Sequence, residues 1–416
     1  MSVGEEFKLN YSNCINFLFF SIPIGLAVGP LIAEILLNFF TILIIFEIIK
    51  KKKFEIFREN IFIYFYLFYT VVLFSAILSQ NELIITKAFF YLRLILFLIS
   101  AKYFFENKYF NKKLSLISLI FLLIIFVDAQ FQIFTGVSLF GNKGQYHHQD
   151  NFNISGIFFE EEVLGSYLSR MLPIINFFII IYFRKKLSLS IGLIIFFVAL
   201  WTTLFTGERV ALFLLILNLV VFIFYIKKIK ILLSVIILAF LIIVSSIKFN
   251  EKVFNRIVET TQNQIFSDNK IYWISETHTN HIISSYYIFL DNKIFGSGPK
   301  SFRIECKKYQ HIVKGCSTHP HNIFMQILTE TGMIGFTIFI IGIFWLYKLF
   351  FINLINFFKK KNSSNYLYFI PLASLIIQFL PFLPSGNFFN NWLSIIFFYT
   401  FSLIFLDLKK LVVFSN

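Results

Sequence analysis

The sequence predicts an all-α bundle that crosses a membrane about twelve times and carries one large water-exposed loop. Three observations predict it. Hydrophobic residues make up 58% of the 416 positions and charged residues only 14%. A soluble domain is about one quarter charged, so this chain lacks the polar surface to stay dissolved. The apolar residues fall into runs of about 20, the length a spanning helix needs. Finally, the Lys and Arg behind a net charge of +15 gather in short clusters at every second connection between runs, as the positive-inside rule asks of cytoplasmic loops. That interleaving also argues against nucleic acid as partner. The 61 Phe residues are read as compositional bias, not as a site.

The elements follow in order. The run 14–47 is too long for one span and slightly short for two, and Gly25, Gly29 and Pro30 split it into two short helices near Pro30. It lacks an A-x-A site, so no cleavable signal peptide is expected. Further spans read as 61–78, 83–104, 114–134, 163–183, 187–205, 209–226 and 231–247, then 332–351, 366–382 and 392–406. Basic clusters occur at Lys50–Lys53 with Arg58, at Lys112 and Lys113, at Arg184–Lys186, at Lys227, Lys228 and Lys230, at Lys359–Lys361, and at Lys409 and Lys410. The connections between them, 79–86, 135–162, 206–208 and 385–391, are poor in Lys and Arg. Both termini are therefore expected in the cytoplasm, with an even number of spans. The chain divides into a transmembrane bundle of about nine spans (1–248), a non-cytoplasmic loop (249–331, water-exposed over roughly 249–322) and C-terminal transmembrane helices (332–416).

The loop holds most of the His and two of the three Cys. Cys306 and Cys316 lie on the predicted oxidising side, where a disulfide can form. Two alternatives remain: free thiols, or a metal held by Cys306, Cys316, His319 and His321, whose H-x-H spacing is not the usual zinc pattern. Cys14 reads as an ordinary apolar membrane residue. Pro320 suits the first position of a helix. Ile323, Phe324, Ile327 and Leu328 then share one face, with Gln326, Thr329 and Glu330 opposite, as in a surface-lying amphipathic helix. Gly332 and Gly335 permit a turn into the next span. His321 would sit in the first helical turn, where the macrodipole disfavours imidazolium; it is either a neutral general base or a cap.

Ionisable groups at membrane depth are costly and mark candidate sites. Here they are Glu34, Arg93, Asp128, Arg170, Glu208 and Arg209. Arg93 and Arg170 read as structural partners for Glu34 or Asp128. Arg209 either grips a phosphate bidentately or snorkels and pairs with Glu208. Glu160, Glu161 and Glu162 read as a solvated loop before a helix.

The motifs Gly296-Ser297-Gly298, His321-Asn322 and Glu330-Thr331-Gly332-Met333-Ile334-Gly335, with the stretches 127–142, 155–173 and 206–212, occur in one order over most of 127–340. In this the chain resembles the bacterial O-antigen ligase and polymerase (WaaL/Wzy) superfamily of membrane glycosyltransferases. The resemblance implies a GT-C-like bundle in the bacterial inner membrane with a periplasmic loop. It also implies transfer of a glycan from undecaprenyl diphosphate to a sugar hydroxyl, with neither metal nor other cofactor. His321, Arg209 and, as a second diphosphate ligand, Arg303 are the implied catalytic residues. His319, Asn322, Glu330, Gly296 and Gly298 are implied around the substrates. Many relatives have an Arg upstream of the Gly-x-Gly turn, where this chain offers His278, Asn280 and His281. The leading expectation is a ligase acting on lipid A-core; the alternatives are a polymerase extending the lipid-linked glycan, and a transporter or flippase.

Overall fold

The computed structural model describes residues 3–107, 109–143, 145–147, 151–159, 161–183, 185–226, 229–267, 270–314, 316–359 and 368–406. The expected sites Glu160, Arg184, Lys227, Lys228, Lys360, Lys361, Lys409 and Lys410 lie outside them.

The chain is helical almost throughout. In order come α1 (Val3–Val28), α2 (Pro30–Lys50), α3 (Asn60–Leu78), α4 (Glu82–Phe90), α5 (Leu92–Glu106) and α6 (Leu116–Thr135). Then follow α7 (Leu164–Tyr182), α8 (Lys185–Thr206), α9 (Arg209–Ile226) and α10 (Ile229–Phe249). The loop region holds α11 (Glu251–Phe254), α12 (Thr260–Ile265), α13 (Glu276–Asp291) and α14 (Phe302–Glu305), before α15 (Ile323–Phe358), α16 (Phe369–Gln378) and α17 (Asn391–Ser402). Among the described residues, nine helices are long and apolar enough to cross a membrane, counting α4 and α5 as one, and three apolar helices are shorter. The nine and the three coincide with the twelve predicted runs.

Pro30 occupies the first position of α2, where its missing N–H is not needed. Gly25 lets α1 and α2 fold back on each other: a Cβ there would lie 2.7 Å from the Ala33 Cα. Around this hairpin the core is aromatic, with Phe19 centred 5.3 Å from Phe104 and 4.8 Å from Tyr399. Such offset and tilted pairs add to the apolar burial. The helix α7 is the central element, 89% of its apolar window being buried, whereas α10 buries 17% and turns Ile237, Phe240 and Leu241 outward.

The two ends of the bundle differ in chemistry. At one end Lys51 reaches Tyr109 (3.3 Å) and Lys102 reaches Glu59 (3.1 Å), so the basic connections after α2 and α5 lie together. At the other end the α3–α4 connection, the loop region and the α16–α17 connection meet. The buried charges expected to act as glue have partners. Arg93 pairs with Glu34 (2.8 Å), and Asn391 bridges both. Arg170 does not pair with Glu34 or Asp128: its guanidinium donates to the Ser166 carbonyl (3.1 Å), and Asp128 accepts the Leu139 N–H (2.7 Å). Glu161 is exposed, as expected, while Glu162 accepts from Asn153 Nδ2 (3.3 Å).

Candidate active site

The site is built on a broken helix. At Gly332, α15 leaves helical geometry (φ 65, ψ −169). The N–H groups of Met333 and Ile334 therefore cannot bond to Thr329 and Glu330 and donate instead to the carbonyls of Lys293 (2.8 Å) and Ile294 (3.3 Å). The carbonyls thus freed accept from Ser297 (3.1 Å) and Gly298 (2.9 Å). This exchange satisfies every backbone group that the break would otherwise leave buried and unpaired. It also demands glycine on both sides: a Cβ on Gly296 would meet the Glu330–Gly332 backbone, and one on Gly332 the Ile294–Gly296 backbone. The Gly-Ser-Gly turn and the Glu-x-Gly break are one structure.

Glu330 completes it. Its buried carboxylate accepts from the N–H groups of Lys300 (2.9 Å) and Phe302 (3.3 Å) and from Gln326 Nε2 (3.0 Å). Gln326 in turn holds Asn387 and the Phe388 N–H, both at 2.8 Å. Gln326, Thr329 and Glu330 are fully buried, so the segment after Asn322 is not the surface-lying helix expected from its polar face. That face is polar because it organises two loops. Pro320 does not open the helix either. Asn322 is the N-cap, its Oδ1 accepting the Met325 N–H (3.0 Å) and its Nδ2 donating to the Pro381 carbonyl (2.6 Å). Gly296, Gly298, Asn322 and Glu330 shape the site through these contacts.

His321 precedes the cap rather than lying in the first turn, with φ 56. Its ring joins three others: His319 (centroid distance 4.0 Å), His281 (5.1 Å) and His278 (5.4 Å). Burial is the main cause that lowers all four from the ordinary 6.5, His319 to about 4 and His321 to about 3, and mutual repulsion adds to it in all but His281. The rings are therefore neutral. His319 Nε2 lies 3.1 Å from the Ser385 carbonyl, and the Ser385 N–H donates to the His321 carbonyl (2.8 Å). Ser317 Oγ lies 3.2 Å from His321 Nε2. Cys306 and Cys316 are disulfide-bonded (Cα–Cα 5.4 Å), pinning Ser317 beside α14. Among the described residues no group of His, Cys, Asp and Glu side chains has metal-holding geometry.

Arg209 opens α9 beside this cluster, and its charge is felt at His278. Its guanidinium bonds the neutral Thr261 Oγ1 (2.8 Å) and Gln264 Oε1 (2.5 Å). Glu208 does not neutralise it: that carboxylate caps α7, accepting from the N–H groups of Gly165 (2.6 Å) and Ser166 (2.9 Å). A second guanidinium, Arg256, lies near enough to repel Arg209 and donates to the Gly207 carbonyl (3.3 Å). Arg303 is exposed on α14, and its charge reaches His319. The stretches 127–142 and 155–173 lock together. Gln132 Oε1 accepts the Ser155 (3.1 Å) and Gly156 (2.7 Å) N–H groups, and Asn142 Nδ2 donates to Gly156 (3.1 Å) and Phe159 (2.8 Å) carbonyls. Sequence reasoning noted His278 and His281 only as standing where many relatives have an Arg, and did not place Arg256 in the site. The i,i+3 spacing of the two histidines put them on one helix face, but nothing local tied that face to His321.

Residues 193–340 match the O-antigen ligase family model (Wzy_C). This segment is similar to the O-antigen ligase domain. It runs from α8 past the break in α15 and contains the four histidines, Arg209, Arg256, Arg303 and the whole Gly-Ser-Gly turn. The resemblance to the ligase and polymerase superfamily is borne out, and the family is one of glycosyltransferase-like membrane enzymes. No curated protein matches the chain.

Proposed function

We propose that the protein is an O-antigen ligase-type glycosyltransferase. It moves a glycan from undecaprenyl diphosphate onto a sugar hydroxyl of lipid A-core, at the periplasmic face of the bacterial inner membrane. The observation that carries this reading is a neutral His321 in a cluster whose His278 feels the charge of Arg209, itself beside Arg256 and, among the described residues, bonded only to neutral side chains. The acceptor oxygen attacks the anomeric carbon while its proton passes to His321. The bond from that carbon to the diphosphate oxygen breaks, and its electron pair leaves with the diphosphate. Guanidinium groups stabilise that developing charge, and Arg209, Arg256 and Arg303 are the candidates for that role. Neither a metal nor another cofactor is part of this reading. The basic end of the bundle then faces the cytoplasm, with both termini there.

The test is a lipopolysaccharide gel from a deletion strain carrying either the wild-type gene or His321→Ala. Long-chain bands restored only by the wild type, with a residual band of bare core, support a ligase. A residual band of core bearing one repeat assigns a polymerase instead. An unchanged gel in the deletion strain overturns glycan transfer to lipopolysaccharide.

A further inference from the structure

A cleft of about 730 Å³ opens beside the Gly-Ser-Gly turn, within the size range of ligand sites, about 300–1,000 Å³. It is bounded by the α3–α4 connection, the end of α13 and the outer side of α14, and none of the four histidines lines it. The short α14 stands between: Phe302 packs against His281 at 6.4 Å, whereas Ile304 and Glu305 line the cleft. Its polar groups are only half spent among the described residues. Asn81 uses Oδ1 to cap α4 and keeps both Nδ2 donors. Asn292 gives Nδ2 to the Ile288 carbonyl (3.2 Å) and keeps its oxygen. Lys308 pairs with Glu305 (2.6 Å), each retaining further capacity, and Ile294, 60% exposed, adds an apolar surface. Unspent amide, carboxylate and ammonium groups beside apolar patches match a ligand with hydroxyls at its rim and C–H groups on its faces.

We propose that this cleft is an oligosaccharide subsite, holding sugar units beyond the one that reacts. This rests on the transferase reading, and the sugars come from either the donor glycan or the acceptor core. The turn couples the two places, since its backbone forms one wall of the cleft and is bonded to the helix that carries Glu330. Occupancy there would align a long glycan without touching the reacting bond.

The test fills the cleft with Ile304→Trp and, separately, removes an unpaired cation with Lys293→Ala. Purified protein is assayed with donors of one or several repeats and with full or truncated core acceptors. A KM raised about tenfold for the longer donor alone assigns the cleft to the donor glycan; the same rise for the fuller acceptor alone assigns it to the acceptor. Unchanged KM values for every pair overturn the subsite, and so does an equal loss that includes the minimal pair. Binding is also measured without turnover, on His321→Ala protein titrated with short oligosaccharides released from the strain's own surface polysaccharide. Weaker binding after adding Ile304→Trp supports the cleft, and equal binding overturns it, even if the wild type transfers nothing.

Discussion

His321 is neutral chiefly because it is buried, and the imidazoles of His319, His278 and His281 add to the effect. A value near 3 makes it a weak base in the empty site. An arriving diphosphate changes that, since a nearby anion favours the imidazolium. In kinetic terms, kcat/KM, which reports the free enzyme, stays flat on the acid side down to about pH 4, while the acid limb of kcat lies higher. Coincident limbs would remove the coupling. Stability follows the same groups. Unfolding returns His319 and His321 to the ordinary 6.5, so the unfolded chain binds protons between 6.5 and about 4 that the folded chain refuses. Thermal midpoints should be highest above pH 6.5 and fall as pH drops toward 4, with a shallower fall in His319→Gln. Replacing His321 by Ala should lower transfer about 10²–10⁴-fold, the range for a lost general base, with membrane insertion intact. Arg209→Lys keeps the charge but loses the planar fork, so donor KM should rise; an unchanged KM would make Arg209 a helix-end anchor. His321 and Arg209 could be singled out as candidates from motif order. Arg256 could not, because its approach to Arg209 depends on where the helical turn after α11 places a side chain relative to α9.

At the scale of elements, the break in α15 was legible and its purpose was not. Gly332 and Gly335 announced a turn, yet the polar face of Gln326, Thr329 and Glu330 looked like a solvent face. In the fold those side chains are buried against two loops. Periodicity reports that a face is polar, not whether water or backbone satisfies it. Gly332→Ala tests the backbone exchange. It places a Cβ at φ 65 against the Ile294 and Gly296 backbone, so the turn must move and take Lys300, Phe302 and the cleft with it. The expected result is protease sensitivity between 293 and 335 with loss of transfer, read by limited proteolysis. Gly335→Ala is the milder companion, since its closest contact is the Thr331 side chain within the same helix. The disulfide acts on the same assembly. Cys306→Ser with Cys316→Ser should lower transfer while leaving the helices inserted, because Ser317 would lose its anchor beside His321.

At the scale of the molecule, the short C-terminal helices set the depth of the site. The helix α16 has ten residues, about 15 Å of rise against a hydrocarbon core of about 30 Å. Tyr368 bonds the Leu406 carbonyl (2.6 Å), so α16 starts where α17 ends. The α16–α17 connection nevertheless reaches His319 and His321 through Ser385. The histidine segment therefore meets the α16–α17 connection at that end of the bundle. Everything in this reading requires that end to face the donor glycan, which fixes the orientation of the whole bundle. The exposed Trp273 (78%) lies in the loop region, and the exposed Lys52 at the basic end. In a Cys14→Ser background, Trp273→Cys should react with a membrane-impermeant thiol reagent applied from the periplasmic side. Lys52→Cys should react only after the inner membrane is breached. The reverse pattern would place the histidines in the cytoplasm, away from any exported glycan, and would sink the ligase reading together with the positive-inside assignment. Labelling of both without permeabilisation would mean an even number of crossings between them, with the short apolar helix α9 turning back inside the membrane.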